Sequence, residues 1–156
     1  MTYLVFGRML EANLQEAPMS IAAHFDSYTS ARAHFKELLD AARRGRVATV
    51  QRETGRAAVV DADRLRVSLM ATLPAPQAVA EDGGWSIMLP GVPIAADGTA
   101  FDEAVDELIM ALREYADDWQ ERLLDAPNHR NNWALVQVVA LSSDEQLRDW
   151  LTGSAR

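Results

Sequence analysis

The sequence predicts an α+β chain of two modules, a helix–hairpin–helix head over residues 21–72 and a folded acidic α/β module over 85–156. Three observations predict it. A complete helix signal is followed by two β-prone runs around a short turn; residues 73–84 carry two prolines and two glycines without an apolar period; and the charge changes sign across that stretch. Residues 19–72 hold nine Arg or Lys against six acids, a net +3, whereas residues 73–156 hold five Arg against fifteen acids, a net −10, within a total of −8. Such asymmetry suggests one polyanionic and one basic partner, although composition drift between two solvated surfaces is the plainer reading of charge alone.

The first helix is signalled by Thr29 and Ser30 as N-caps, by Ala31, Phe35, Leu38, Leu39 and Ala42 at helical spacing, by Arg43 and Arg44 in the last turn, and by Gly45 as the stop. Residues 47–52 and 56–60 are β-prone and flank Glu53-Thr54-Gly55, which reads as a hairpin turn with its glycine placed for positive φ. Asp61 or Asp63 then caps a short helix that ends before Pro74. After the 73–84 linker, residues 85–89 form a short strand candidate, Pro90-Gly91 and Asp97-Gly98 mark turns, and Thr99 caps a long helix. Phe101, Ala104, Val105, Leu108, Ile109, Leu112, Tyr115, Ala116, Trp119 and Leu123 make its apolar stripe, with acids on the other face. The apolar run 133–141 is expected to be a buried strand, and Ser142 or Ser143 caps a closing helix.

With 49% hydrophobic residues and four Trp, the chain can bury a sizeable core. The absence of cysteine removes disulfides, thiol catalysis and thiolate metal sites, and favours a reducing cytoplasm. The opening apolar run is too short for a signal-peptide core or a membrane span, so no membrane partner is expected.

Ser27-Tyr-Thr-Ser-Ala-Arg32, Phe35-Lys-Glu-Leu-Leu39, Thr49-Val-Gln-Arg-Glu-Thr-Gly55 and Ala57-Ala-Val-Val60 occur in this order. Together they resemble the Phd/YefM (prevent-host-death) antitoxin family over residues 21–70. The resemblance implies a homodimer in which paired hairpins and helices form one DNA-binding head. It also implies that Arg32 and Arg52 match the family's operator-contacting arginines. Residues 1–20 fall outside it as an extension, either an appended helix or the product of an upstream start codon.

The residues themselves carry part of this reading. Arg32 in a first helical turn would oppose the helix dipole, so a phosphate or a guanine edge would explain its position; a solvated side chain or a pair with Asp26 is the alternative. Arg43, Arg44 and Arg46 complement the helix C-terminus, with phosphate contact as a second role. Thr29, Arg32, Arg52, Arg43, Arg44 and Arg46 are therefore the DNA-binding candidates. His24 and His34 lack a third ligand or a carboxylate at a recognised spacing and read as surface or packing residues. Asp102, Glu103, Asp106 and Glu107 suit the dipole of the long helix better than a metal, and Asn128–Asn132 reads as a turn without a paired nucleophile. Neither a metal, nor a cofactor, nor catalysis is expected.

The C-terminal half departs from Phd/YefM proteins, whose toxin-binding tail is short. Residues 85–91 followed by 99–104 loosely resemble the strand, Leu-Pro-Gly and helix opening of HicB-type antitoxins. Its excess carboxylates suit the basic RNA-binding surface of a ribonuclease toxin. Trp85, Asp106, Glu107, Glu114, Asp117 and Asp118 are the toxin-binding candidates. The expected function is that of a cytoplasmic type II antitoxin, blocking its cognate toxin stoichiometrically and repressing its own operon at operator DNA. A stand-alone transcriptional regulator with a C-terminal ligand-sensing domain is the alternative.

Overall fold

The computed structural model describes residues 23–153, apart from the side chain of Arg52, and divides the chain into two compact units, Met1–Val59 and Val60–Arg156. The proposed 1–20 extension lies outside the described residues.

In the first unit, β1 (Ala23–Phe25) pairs in parallel with β2 (Ala48–Arg52), which pairs antiparallel with β3 (Gly55–Val59), giving the order β1-β2-β3. Two helices connect β1 to β2, α1 (Tyr28–Ala33) and α2 (Phe35–Arg43). The expected single helix is thus broken at His34, whose backbone (φ −115°, ψ 29°) leaves the helical region while its Nδ1 lies 3.0 Å from the Ser30 carbonyl. The break also moves the cap: Ser27, not Thr29 or Ser30, accepts the 3.2 Å bond from the Ser30 amide. Gly45 ends α2 at φ 73°, as its position after the basic turn predicts. The hairpin is a two-residue turn in which Glu53 takes the positive φ (48°), and Gly55 sits opposite Arg52 in the ladder. This corrects the expected role of Gly55. Ala23, Phe25, Ala31, Leu38, Ala41 and Ala48 form the core of this unit, supported by Val50 and Val59.

The second unit starts with α3 (Ala62–Met70), capped by Asp61 through a 3.1 Å bond from the Arg64 amide. This helix packs against α5 (Trp133–Leu141), so it belongs to the C-terminal unit and not to the head expected over 21–72. Three antiparallel strands follow in a meander, β4 (Gln77–Glu81), β5 (Gly84–Met88) and β6 (Ala95–Gly98). The expected 73–84 linker therefore contains a strand; two prolines precede it, and the Asp82-Gly83 turn, with Gly83 at φ 100°, follows it. Asp97-Gly98, expected as a turn, closes β6. Gly98 is required there, because a Cβ would lie 2.4 Å from the Ala104 amide nitrogen.

The long helix α4 (Phe101–Asp118) crosses β5 and β6 and continues as one π-helical turn over Trp119–Leu123. Ala104, Val105, Leu108, Ile109, Leu112, Ala116 and Trp119 are buried, and Phe101, Tyr115 and Leu123 are half-buried, as the apolar stripe predicts. The N-cap is Ala100, which offers no side-chain bond; Thr99, expected as the cap, instead bonds to Glu103 one turn on. Residues 133–141 form α5, not a strand. A continuously apolar run fits either element, and this one is enclosed by helices, among which an all-round apolar helix satisfies its own backbone. Arg113 completes the arrangement by donating to the Val139 and Ser142 carbonyls at the end of α5 and to Asp144 at 2.7 Å. Finally, α6 (Asp144–Thr152) opens with a full capping box between Ser143 and Gln146.

Candidate functional sites

In the N-terminal unit, the start of α1 and the β2–β3 turn come together. Asp26, Ser27, Tyr28, Thr29, Gln51 and Glu53 line one open cleft of about 560 Å³. Thr29 thus shares a face with the backbone that carries Arg52, whose side chain is outside the described residues. Arg32 is exposed, but it lies in the last turn of α1, where a cation suits the dipole. The dipole conflict expected for Arg32 is therefore absent, because the helix ends one residue later. Asp26, its alternative partner, pairs with His24 at 3.2 Å. Arg43, Arg44 and Arg46 are exposed around the C-terminus of α2. Asp40 remains inside this basic turn, and its carboxyl is held below the usual range chiefly by the Lys36 hydrogen bond at 2.7 Å.

Beside this polar face lies an apolar cleft of about 370 Å³, lined by Tyr28, Ala31, Arg32, Phe35, Leu38, Val50 and Val59. Tyr28 is 62% exposed and Phe35 57%, so two aromatic rings of a small unit face outward. Both histidines of this unit are structural: His24 Nδ1 lies 2.8 Å from the Thr49 hydroxyl, and the His34 ring stacks on Phe25 at 5.8 Å.

In the C-terminal unit, the acidic candidates divide into engaged and open groups. Asp106 pairs with Arg148, and Asp118 pairs with Arg122 one turn along the helix, where it raises the affinity of that guanidinium for its proton. Glu107, Glu114 and Asp117 are exposed and form no ion pair among the described residues. Their spacing, with 57%-exposed Met110 between them, places all four on one stripe of α4. Trp85 is exposed and meets Phe101 in an edge-to-face contact at 5.2 Å.

Around Trp85 the sheet also gathers Glu81, Asp82, Asp97 and Glu103 about an open cleft of about 430 Å³. Sequence reasoning missed this cluster, since Glu81 and Asp82 were assigned to a linker and only the strand register places Asp97 opposite Ser86. Glu103 accepts hydrogen bonds from the Thr99 hydroxyl and from the Thr99 amide at 2.8 Å, and these two bonds lower its pKa. A depressed carboxyl stabilises the fold above its unfolded pKa of about 4.3, and the contribution disappears as pH falls through the lower folded value. The stability difference between the native chain and Glu103→Gln should accordingly be present at neutral pH and shrink below about pH 4.3. A pH-independent difference in thermal midpoint would contradict this.

The Asn128–Asn132 segment is held by its own hydrogen bonds. His129 Nδ1 lies 3.0 Å from the Tyr115 hydroxyl, Asn132 donates to that hydroxyl at 2.6 Å, and the Trp119 indole donates to the His129 carbonyl at 2.7 Å. Among the described residues no three His, Asp or Glu side chains converge as metal ligands, and no helix is long and apolar enough to cross a membrane.

A family model described as "Antitoxin of toxin-antitoxin, RelE / RelB, TA system" matches residues 24–152, across both units. The chain belongs to this antitoxin family. No curated protein sequence matches the antitoxin. A crystal structure from Syntrophomonas wolfei subsp. wolfei, described as the antitoxin part of a candidate toxin/antitoxin system, is similar in fold. Its TM-score is 0.68 at 20% identity, over 81% of this antitoxin and 94% of that chain. That match therefore spans far more than the N-terminal unit. An antitoxin implies a cognate toxin as partner and a regulatory, non-enzymatic protein.

Proposed function

We propose that this antitoxin acts in the cytoplasm as a type II antitoxin with a division of labour between its units: the first binds operator DNA as a Phd/YefM-like homodimer, and the second neutralises the toxin. The observation that carries this reading is that charge and fold divide at the same place. Residues 1–59 hold eight basic and six acidic residues, a net +2, whereas residues 60–156 hold seven and seventeen, a net −10. A polyanion is favoured by the first unit and a basic protein by the second.

Packing supports the dimer in this reading. Four of the six core residues among the described residues of the first unit are alanine, so that core contributes little burial, while Tyr28 and Phe35 stand exposed beside an apolar cleft. Pairing two copies over that face would bury these rings and double the number of phosphate contacts. On the other unit, Glu107, Glu114 and Asp117 flank Met110, a stripe suited to the basic surface with which a ribonuclease toxin would hold RNA.

The DNA-binding arm is tested with Arg32→Ala and Arg52→Ala in gel shifts on the promoter of the antitoxin's own operon. Each should weaken binding by roughly 1–3 kcal/mol while circular dichroism stays unchanged. Native affinity in both variants would place DNA contact on other residues.

A further inference from the structure

Among the described residues, both outer strands of the C-terminal sheet lack a partner on one side. In the order β4-β5-β6, β4 is an edge, and every residue from Gln77 to Glu81 is exposed, on both faces. The register with β5 sets Ala78 opposite Ile87 and Ala80 opposite Trp85, so these alanines point to the face covered by α4; that helix packs on β5 and β6, and even the inward side of β4 is left open. Val79, on the outer face, is 47% exposed. Natural proteins blunt a free edge with charged side chains, lysine above all, or with proline, a bulge or shortening. Residues 77–81 contain no lysine, proline or bulge, and their one charge, Glu81, stands at the last position; Pro76 precedes the strand, and the five-residue ladder with β5 is regular. The opposite edge, β6, is shorter, with four residues, and carries Asp97 within the strand.

We propose that β4 is the docking edge for the cognate toxin, which adds a strand of its own to the β4-β5-β6 sheet. The inference rests on the antitoxin reading above and specifies where its second unit is engaged. Main-chain hydrogen bonds along the edge would supply affinity, and the side chains flanking it would select the partner. Charge identifies that partner as basic. Glu81 ends the strand and Asp82 follows it, Asp97 and Glu103 lie at the same cleft, and among the described residues no Lys or Arg lines it. A second copy of this chain is the rival occupant, but it would bring two units of net −10 together.

The test is hydrogen exchange of the full-length antitoxin, alone and co-expressed with its toxin, together with Ala78→Pro and Val79→Pro. Of two adjacent strand residues, one directs its N–H toward β5 and the other outward, so one of these prolines leaves the β5 ladder intact. In the complex, the outward amides of Gln77–Glu81 should gain protection, and the proline variant that keeps the native thermal midpoint should bind toxin at least tenfold more weakly. A toxin complex in which these amides exchange as in the free antitoxin overturns the edge inference and leaves the antitoxin reading standing. Protection of β4 in the antitoxin alone, with a doubling of mass that Val79→Pro or Ala78→Pro abolishes, assigns the edge to a second copy and overturns it as well. Failure of the native chain to bind the toxin overturns both.

Discussion

Leu108→Ala should destabilise the C-terminal unit by about 2.7–5 kcal/mol, the range for a leucine whose removal leaves a cavity in a packed core. Leu108 lies in the middle of α4, is fully buried, and belongs to one cluster with Ile87 and Leu89 from the sheet side and Val136, Val139 and Leu147 from the helical side. Neighbours fixed on both sides limit collapse into the vacated volume. Denaturant unfolding followed by tryptophan fluorescence is a clean probe, because all four Trp, at 85, 119, 133 and 150, lie in this unit. The midpoint should fall, with the slope unchanged, by an amount equivalent to that loss. Toxin binding should weaken with it, while operator binding should be retained. A loss below about 1 kcal/mol would mean that α4 does not hold the sheet and helices together as described.

The long helix was legible because its apolar stripe is continuous over six turns and its outer face is acidic, and the open carboxylates Glu107, Glu114 and Asp117 were legible with it. The break at His34 was not, because the apolar positions continue through it and only the His34 backbone and its bond to Ser30 interrupt the helix. That break also undid the dipole argument for Arg32. Two further misreadings have a common origin in ambiguous local signals. Residues 133–141 are apolar throughout and carry no period to separate a strand from a buried helix; Gln77–Glu81 is rich in alanine and flanked by Pro and Gly, so it reads as a linker until its pairing with β5 is seen. Missing β4 concealed the acidic cluster around Trp85, since Glu81, Asp97 and Glu103 come from three separate elements that only the sheet and the start of α4 assemble. It also placed the boundary between modules after α3, whereas α3 packs against α5 and the units divide after Val59.

That boundary defines the experiment with the largest expected effect. Cutting the chain between Val59 and Val60 separates seven of the nine basic residues found over 19–72 from an acidic unit that retains its own core. Residues 60–156 should form a soluble complex with the toxin and show no affinity for DNA. Residues 1–59 should not neutralise toxin at all, and any DNA binding they retain should fall steeply with salt, because phosphate contacts release counterions. The proposed dimer predicts that their stability will depend on concentration. The direct measurement is growth of cells expressing the toxin together with each fragment, followed by gel shifts with the purified fragments. The division of labour predicts rescue by residues 60–156 alone and a DNA shift by residues 1–59 alone; rescue by residues 1–59, or a DNA shift by residues 60–156, would contradict it.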